Sequence, residues 1–442
     1  VPQPTRTLTM AEALAYAREH QPAIHAALSS VAARMAEAKV PTGQWLPTVG
    51  LGAQIYGATS NNSTASSLSM DRVDVPRIGG TTALTSPSNA SWQPYASTFA
   101  GVGVLQEVFD FGRIGAQRAA ADALVDVAKH DADAARLDVD FGVEEAYFSV
   151  LAAKAIVKAS DQAYGRALVH RDFAKRGVDS GLRSPIELTR AEADLARFDV
   201  GRVRARGGVA LAQTVLAAAI GAPDPAVDVA GEAPQRSEMP AMEEALRLAQ
   251  ARDPALAASL SQLSAAEKKT TAVGAELRPD LSLTATLSGR AGGAAVNANG
   301  QTITPAGEGW VPNIPNWDVG LVLSWPLFDG VIGARRDAAK SMERVRHDEV
   351  DEAQLKDAAT VRETYARVQV ARSALSALQN SVIAARANYD QADARFRSGI
   401  GNAVELADAE AVRVDAEIQL ALGQFDLARA RAAFGRAIAE EL

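Results

Sequence analysis

One pattern occurs twice in this chain, and this repetition constrains the fold more than any single motif does. Met10-Ala11-Glu12-Ala13-Leu14 recurs as Met242-Glu243-Glu244-Ala245-Leu246, an offset of 232 residues. Ser180-Gly181-Leu182 recurs as Ser398-Gly399-Ile400 at an offset of 218, so the first copy is 14 residues longer in its interior. A duplication of this length predicts two similar supersecondary units. We place the first repeat at 1–220, a linker or equatorial segment at 221–240 and the second repeat at 241–442.

Each repeat opens with a helix and then changes to a strand pattern. Thr9 is a candidate N-cap for the first helix, and Pro22 is expected to interrupt that helix. In the second repeat Leu281, Leu283, Ala285 and Leu287 alternate with Ser and Thr, which is typical of a strand with one apolar face. We predict strands at about 47–58 and 95–107 in the first repeat and at about 279–289 and 316–326 in the second, separated by polar loops.

The remainder of each repeat predicts two helices of unusual length. Residues 334–398 contain neither Gly nor Pro, and as one helix these 65 residues would extend for about 100 Å. The predicted helices lie at about 112–179 and 184–220 in the first repeat and at about 331–397 and 402–440 in the second. Helices of this length favour an antiparallel coiled coil or a helical tube over a compact enzyme.

The four strands pose a closure problem if their apolar face meets lipid. In a membrane every backbone polar group must be paired, so the sheet has to close on itself. Four strands cannot close around a lumen, because about eight is the practical lower limit. Several chains must then share one barrel, which makes the protein a homo-oligomer. The alternative is an ordinary soluble sheet that rests on helices, and this pattern alone leaves both open.

Short motifs stand at the element boundaries in the same order in both repeats. Leu46-Pro47 and Arg278-Pro279 enter the strands, and the Gly-containing tips at 180–182 and 398–400 join the long helices. Val108-Phe109-Asp110-Phe111-Gly112 and Pro326-Leu327-Phe328-Asp329-Gly330 leave the strands. In their order and duplication these motifs resemble the outer membrane efflux protein family, the TolC-like outer membrane channels, over residues 7–440.

The resemblance implies an α+β membrane protein in which a tandem-duplicated protomer supplies four β-strands and long antiparallel coiled-coil helices. It implies a homotrimer with a 12-stranded outer-membrane β-barrel continuous with a 12-helix periplasmic α-barrel, in the outer membrane of a Gram-negative bacterium. Such a channel is a passive exit duct of a tripartite efflux system. Its expected partners are outer membrane lipid, a periplasmic adaptor (membrane fusion) protein and an inner-membrane RND or ABC transporter. The alternatives are the outer membrane component of a type I protein secretion system and a soluble coiled-coil scaffold.

By the same resemblance, the functional residues lie near the helix tips. Glu405 and Asp408 match acidic positions that form rings at the periplasmic aperture, and Glu187 is the internal counterpart of Glu405. Some relatives carry an arginine where this chain has Gly401, whereas the first repeat has Arg183 at the equivalent position, from which it could bridge to Glu405 or Asp408. The adaptor-contact candidates are Ser180, Gly181, Leu182, Ser398, Gly399 and Ile400, and the candidate membrane-interface aromatics are Trp92, Tyr95, Trp310, Trp317 and Trp325.

Other classes of function find little support in the sequence. There is no cysteine, which excludes disulfides, thiolate metal sites and a lipid anchor on cysteine. The 45 basic and 53 acidic residues argue against a nucleic-acid binder. No catalytic motif, cofactor site or metal site is recognisable, and we expect all five histidines to lie at the surface. The chain begins at Val1 without a leader, the form expected of an exported protein whose signal peptide has been removed, or of a trimmed chain.

Overall fold

A computed structural model describes residues 6–59, 69–70, 73–74, 94–224, 226–230, 239–292, 295–296, 302–303 and 314–440. The chain divides into two compact units, each assembled from separate segments of both repeats. The first unit contains Val1–Ala33, Asp126–Ser261 and His347–Leu442, and the second contains Arg34–Val125 and Gln262–Arg346. Each unit therefore draws on both halves of the duplicated sequence.

The elements follow the same order twice along the chain. In the first repeat they are β1 Arg6–Leu8, α1 Met10–His20, α2 Pro22–Glu37, α3 Val40–Gly43, β2 Thr48–Thr59, β3 Ser69–Met70, β4 Val73–Asp74, β5 Pro94–Phe109, α4 Arg113–Asp179 and α5 Pro185–Ile220. After β6 Val227–Val229, the second repeat has α6 Met242–Arg252, α7 Pro254–Ala275, β7 Asp280–Gly292, β8 Ala295–Val296, β9 Thr302–Ile303, β10 Ile314–Ser324, α8 Gly330–Arg397 and α9 Ala403–Ala437. Within the described part of the chain, no helix combines the length and the hydrophobicity needed to cross a bilayer.

The first helix begins and breaks where the sequence predicts. Thr9 forms a capping box with Glu12, because its side chain accepts from the Glu12 amide while the Glu12 carboxylate accepts from the Thr9 amide. The helix α1 ends at His20, and Pro22 begins α2 as a separate helix. Proline is tolerated at a first helical turn but not inside a helix, which explains the break at Gln21.

The large sheet of the second unit holds two long strands from each repeat. Its order is β10-β7-β5-β2 with antiparallel pairing throughout, so β10 and β2 are its edges. The central pair joins the repeats, with Val102 of β5 opposite Leu287 of β7. A bulge between Glu107 and Phe109 shifts the register at the end of β5 next to α4.

The two faces of this sheet differ in side-chain size and exposure. One face carries large apolar side chains that are exposed in the single chain, among them Val49, Leu51, Leu287, Val319 and Leu321. The central rows of the other face carry Gly, Ser and Thr, and larger residues such as Leu105 follow towards the end of β5. A Cβ built on Gly101 would lie 2.9 Å from the Cβ of its cross-strand partner Ser288, against about 4.5–5.5 Å in an ordinary pair. The two central strands therefore approach closely on this face at Gly101.

The first unit contains a small parallel sheet that sequence analysis did not predict. β1 pairs in parallel with β6, which lies within the segment assigned as a linker or equatorial segment. The Tyr147 hydroxyl of α4 donates to the carbonyl oxygens of Ala230, at 2.5 Å, and Leu8, at 3.3 Å, while Lys154 pairs with Asp228 at 2.7 Å. Three-residue strands are too short to show an alternating pattern, so only packing against α4 reveals them.

Candidate functional site

The two long-helix hairpins end in the same type of turn. In the first, the Leu182 amide donates to the Gly177 carbonyl and the Gly181 amide to the Val178 carbonyl, both at 2.9 Å. In the second, Ile400 donates to Arg395 at 3.0 Å and Gly399 to Phe396 at 3.2 Å. This is the Schellman pattern, which requires a left-handed residue just past the helix end. Gly181 and Gly399 provide it with φ values of 75° and 77°.

A glycine and an arginine occupy opposite positions in the two turns. In the first turn the Arg183 side chain folds over Gly177, so that a Cβ on Gly177 would lie 2.6 Å from the Arg183 Cδ. At the offset of 218 residues, Gly177 corresponds to Arg395 and Arg183 corresponds to Gly401. A Cβ on Gly401 would lie 3.0 Å from the Cβ of Arg395. Backbone atoms of Arg395 and Phe396 lie equally close, so the second turn leaves little room for a side chain at 401.

The exchange preserves one ion pair at each turn. Arg183 Nη1 lies 2.7 Å from Glu187 Oε2, and Arg395 Nε lies 3.3 Å from Glu405 Oε1. Glu187 and Glu405 are internal equivalents, so the same carboxylate is paired from opposite sides of the turn. Asp408 lies one turn further along α9, is exposed, and has no ion pair among the residues that the structure describes. Within one chain Arg183 pairs with Glu187 and not with Glu405 or Asp408 among the described residues, and the predicted bridge stays a prediction.

Arg183 also connects the first turn to the second hairpin. Its Nη2 donates to the Phe396 carbonyl at 3.1 Å, and its guanidinium carbon lies 4.0 Å from the centre of the Phe396 ring. The Phe173 ring lies 5.0 Å from the same atom. With its side chain only 15% exposed, Arg183 is held by charge, a carbonyl and two aromatic rings. Sequence reasoning missed the role of Phe396, since nothing in a single repeat shows what faces it.

The outermost residues of both turns are available to a partner. Leu182 is 84% exposed and Ile400 is 77% exposed, although both are apolar. Ser180 and Ser398 are exposed beside them, and their hydroxyls donate to carbonyls of the preceding helical turn. Exposure leaves these side chains accessible, and their contact with an adaptor stays a prediction.

The predicted interface aromatics are described only in part. Trp317 lies on β10 and Trp325 directly follows it, and both side chains are exposed. Tyr95 lies near the start of β5. Trp92 and Trp310 lie outside the described residues. The two described tryptophans thus lie on or next to the edge strand of the large sheet.

One prediction about the histidines is wrong. His170 of α4 is half-buried, because its side chain is 16% exposed and packs against Tyr389 and Phe396 of α8. No local pattern could show this, since the residues that cover His170 belong to the other repeat. Among the described residues, no group of three or more His, Asp or Glu side chains is placed to hold a metal ion.

Comparison with known proteins places this geometry in a family. The sequence model described as outer membrane efflux protein matches residues 13–222 and 245–440. Protein CyaE of Bordetella pertussis is 27% identical over 410 residues, which cover 91% of this chain and 78% of CyaE. The outer-membrane channel OprN superposes with a TM-score of 0.73 at 19% identity, covering 99% of this chain and 94% of OprN. The outer membrane protein VceC of Vibrio cholerae also gives 0.73, at 16% identity and coverages of 97% and 95%. The chain belongs to the outer membrane efflux protein family.

Proposed function

We propose that this protein is the outer membrane exit duct of a tripartite efflux system, a passive trimeric channel. It passes substrates from an inner-membrane pump and a periplasmic adaptor to the outside. The observation that carries the proposal is the four-stranded sheet, whose exposed apolar face lies opposite a face of Gly, Ser and Thr. A lipid-facing apolar surface around a lumen lined by small polar residues is the organisation of a transmembrane barrel.

Closure of the sheet supports the trimer. The edge strands β2 and β10 would otherwise present unpaired amides and carbonyls to lipid, which is costly. Pairing β2 of one chain with β10 of the next satisfies both edges. Three copies then supply 12 strands, the number that the family resemblance implies.

The long helices also leave apolar surface for neighbouring copies. The helix α4 joins α9 within one chain, through pairs such as Glu145 with Arg429 at 2.7 Å. The outer faces of α5 and α8 keep exposed aliphatic side chains, namely Val203, Leu211 and Val215 on α5 and Leu355, Val370 and Ile383 on α8. Rows of this length on a single chain favour burial against α8 and α5 of adjacent copies, which builds the 12-helix periplasmic tunnel.

The turns form the periplasmic aperture and the adaptor contact in this proposal. In a trimer Asp408 gives a ring of three carboxylates that attracts cations and repels anions. Glu405 and Glu187 contribute less, because Arg395 and Arg183 partly neutralise them. The exposed Leu182 and Ile400, with the neighbouring Ser and Gly residues, are where an adaptor would dock.

A second candidate is the outer membrane component of a type I protein secretion system. The small-residue face aligns Gly52, Gly101 and Ser288 in one row and Gly50, Gly103 and Thr286 in the next. Two neighbouring rows of such small residues leave room for an extended polypeptide as well as for small solutes. Complementation of strains that lack their own duct, scored for drug resistance and for secreted polypeptide, separates the two.

The proposal is tested by mass and conductance. The protein extracted in mild detergent should run by light scattering at close to three times 46.3 kDa and should pass ions in a planar bilayer. A water-soluble monomer or dimer without conductance would show that the strands form no pore, and would favour the scaffold alternative.

A further inference from the structure

A group of charged and aromatic side chains joins the two hairpins of one chain, roughly three helical turns away from the tips. We call it the cross-hairpin cluster. Its members are Arg166 and His170 on α4, Tyr389 and Asp393 on α8, and Glu410, Arg413 and Glu417 on α9. Since α4 belongs to the first repeat and the other two helices to the second, every contact that Arg166 or His170 makes with α8 or α9 is a contact between hairpins.

The two carboxylates in the ionic part of the cluster are almost fully buried. Arg166 Nε lies 2.9 and 3.1 Å from the two carboxylate oxygens of Glu410, whose side chain is 3% exposed. Glu417 accepts from Arg386 at 3.0 Å and from Arg413 at 3.4 Å. A buried pair contributes little net stability, but separating its partners leaves an uncompensated charge and is costly. Arg166 and Glu410 therefore resist separation of α4 from α9.

The aromatic part of the cluster centres on His170. Its Nε2 lies 2.8 Å from the Tyr389 hydroxyl, and its Nδ1 lies 4.0 Å from Asp393 Oδ1. Burial raises the pKa of Tyr389 to about 12, so its hydroxyl keeps its proton at any physiological pH. With the ring proton on Nδ1, facing Asp393, Nε2 is free to accept from Tyr389. The neutral imidazole thus satisfies groups on both sides.

Charged groups from all four long helices surround His170. Arg166 lies on its own helix, Asp393 and Arg397 lie on α8, Glu410 lies on α9, and Glu187, Arg190 and Asp194 of α5 line the same cavity. Burial lowers the pKa of His170 below its usual 6.5, Asp393 opposes this effect, and Arg397 and Arg166 add to it. The packed contact between α4 and α8 therefore favours the neutral form of His170. The stability of this contact is constant above about pH 6.5 and decreases as the pH drops below that value.

We propose that the cross-hairpin cluster is a pH-sensitive tie, which holds the two hairpins of each chain together at neutral pH and loosens them in acid. A proton on His170 Nε2 turns this nitrogen from an acceptor into a donor, so the Tyr389 hydroxyl has to accept and loses the acceptor for its own proton. The same proton places a positive charge in a half-buried site beside Arg166. Both effects weaken the contact of α4 with α8, so the hairpins can part at the tips. The inference rests on the proposed function, since loosened hairpins regulate flow only in a duct.

The experiment measures the distance between the two tips of one chain. The absence of native cysteine allows Ser180→Cys and Ser398→Cys to carry the only two nitroxide labels. Co-expression with an excess of unlabelled chain gives trimers that mostly hold one labelled chain. Distance distributions by pulsed electron paramagnetic resonance are recorded at pH 8, 7, 6 and 5. We expect one narrow component at pH 8 and a second, longer component that grows below pH 6.5.

Three variants make the test specific to the cluster. His170→Gln should remove the response to pH, whereas His347→Gln should keep it, because His347 is 67% exposed and pairs only along its own helix with Asp351. Tyr389→Phe keeps the size of the ring but removes the hydroxyl, so it should show the longer component already at pH 8. If His170→Gln does not assemble, Tyr389→Phe provides the test.

The outcomes separate this inference from the proposed function. Unchanged distances between pH 8 and 5, or an intact response in His170→Gln, would overturn the tie, even in a protein that conducts ions. Distances that respond in a protein without conductance would support the tie as a structural device and overturn the duct.

Discussion

Arg183→Met tests whether one arginine fastens the first turn to the second hairpin. The substitution keeps the aliphatic stem but removes the ion pair with Glu187, the bond to the Phe396 carbonyl and the contacts with two rings. A partly exposed pair contributes up to about 1 kcal/mol, a charged hydrogen bond about 1.5–3, and a cation–π contact about 0.5–2. Because such values are not additive, we expect a loss of about 2–4 kcal/mol in the local free energy of opening.

The assay is amide hydrogen exchange at the turn. The Gly181, Leu182 and Arg183 amides donate to carbonyls at the end of α4, and they exchange when the turn opens. A loss of about 2–4 kcal/mol corresponds to exchange that is roughly 30- to 800-fold faster, at about 1.4 kcal/mol for each tenfold.

The duplication supplies the matched control. Arg395→Met removes only the pair with Glu405, from a side chain that is 57% exposed, so exchange at the second turn should rise less than about fivefold. Equal acceleration in the two variants would refute the reasoning, because the contacts with Phe396 would then contribute nothing.

Three further predictions concern the turns, the aperture and a buried carboxyl. Gly399→Ala should destabilise its turn by about 1–2 kcal/mol through the positive φ alone, since no atom lies within 4 Å of the new Cβ. The control Gly201→Ala is equally unhindered but lies inside a helix, so it should stabilise α5. Amide hydrogen exchange measures both effects. Asp408→Asn should lower the cation preference of single channels more than Glu405→Gln does, because Glu405 already faces Arg395. Burial and the nearby Asp253 raise the pKa of Asp357 from 3.8 to about 6, so its ionisation disfavours the folded state increasingly between about pH 4 and 6. Asp357→Asn should therefore raise the melting temperature at pH 8 and leave it unchanged near pH 4.

The large sheet was predictable where one strand face is apolar and the other polar. Leu281 to Ser288 alternate strictly, and β7 runs from Asp280 to Gly292. The strand β5 was less clear, because Gly101 and Gly103 occupy its second face. The structure explains Gly101 by its close approach to Ser288, which only the paired strand reveals. Strand order and register depend on residues far apart in sequence, so no local pattern contains them.

The turns were predictable in position but not in their contacts. The repeated Ser-Gly pattern locates Gly181 and Gly399, because a helix that reverses needs a left-handed residue. The exchange of Gly177 and Arg183 for Arg395 and Gly401 is also present in the aligned repeats. The sequence does not explain this exchange, because the two positions, six residues apart, come into contact only in the folded Schellman turn.

Departures from the duplication indicate where the two kinds of hairpin contact differ. At the offset of 218, Arg166 corresponds to Ala384, His170 to Asn388 and Tyr389 to Arg171, so the second repeat has no copy of the cross-hairpin cluster. In the proposed trimer each hairpin meets one hairpin of its own chain and one of a neighbour. Only the contact within a chain can then contain the cluster. The contacts within a chain and the contacts between chains, which alternate around the proposed ring, therefore differ in strength and in their response to pH. In the proposed trimer the duplicated helices supply the ring, and the residues that differ between the repeats make the contact within a chain the one that responds to pH.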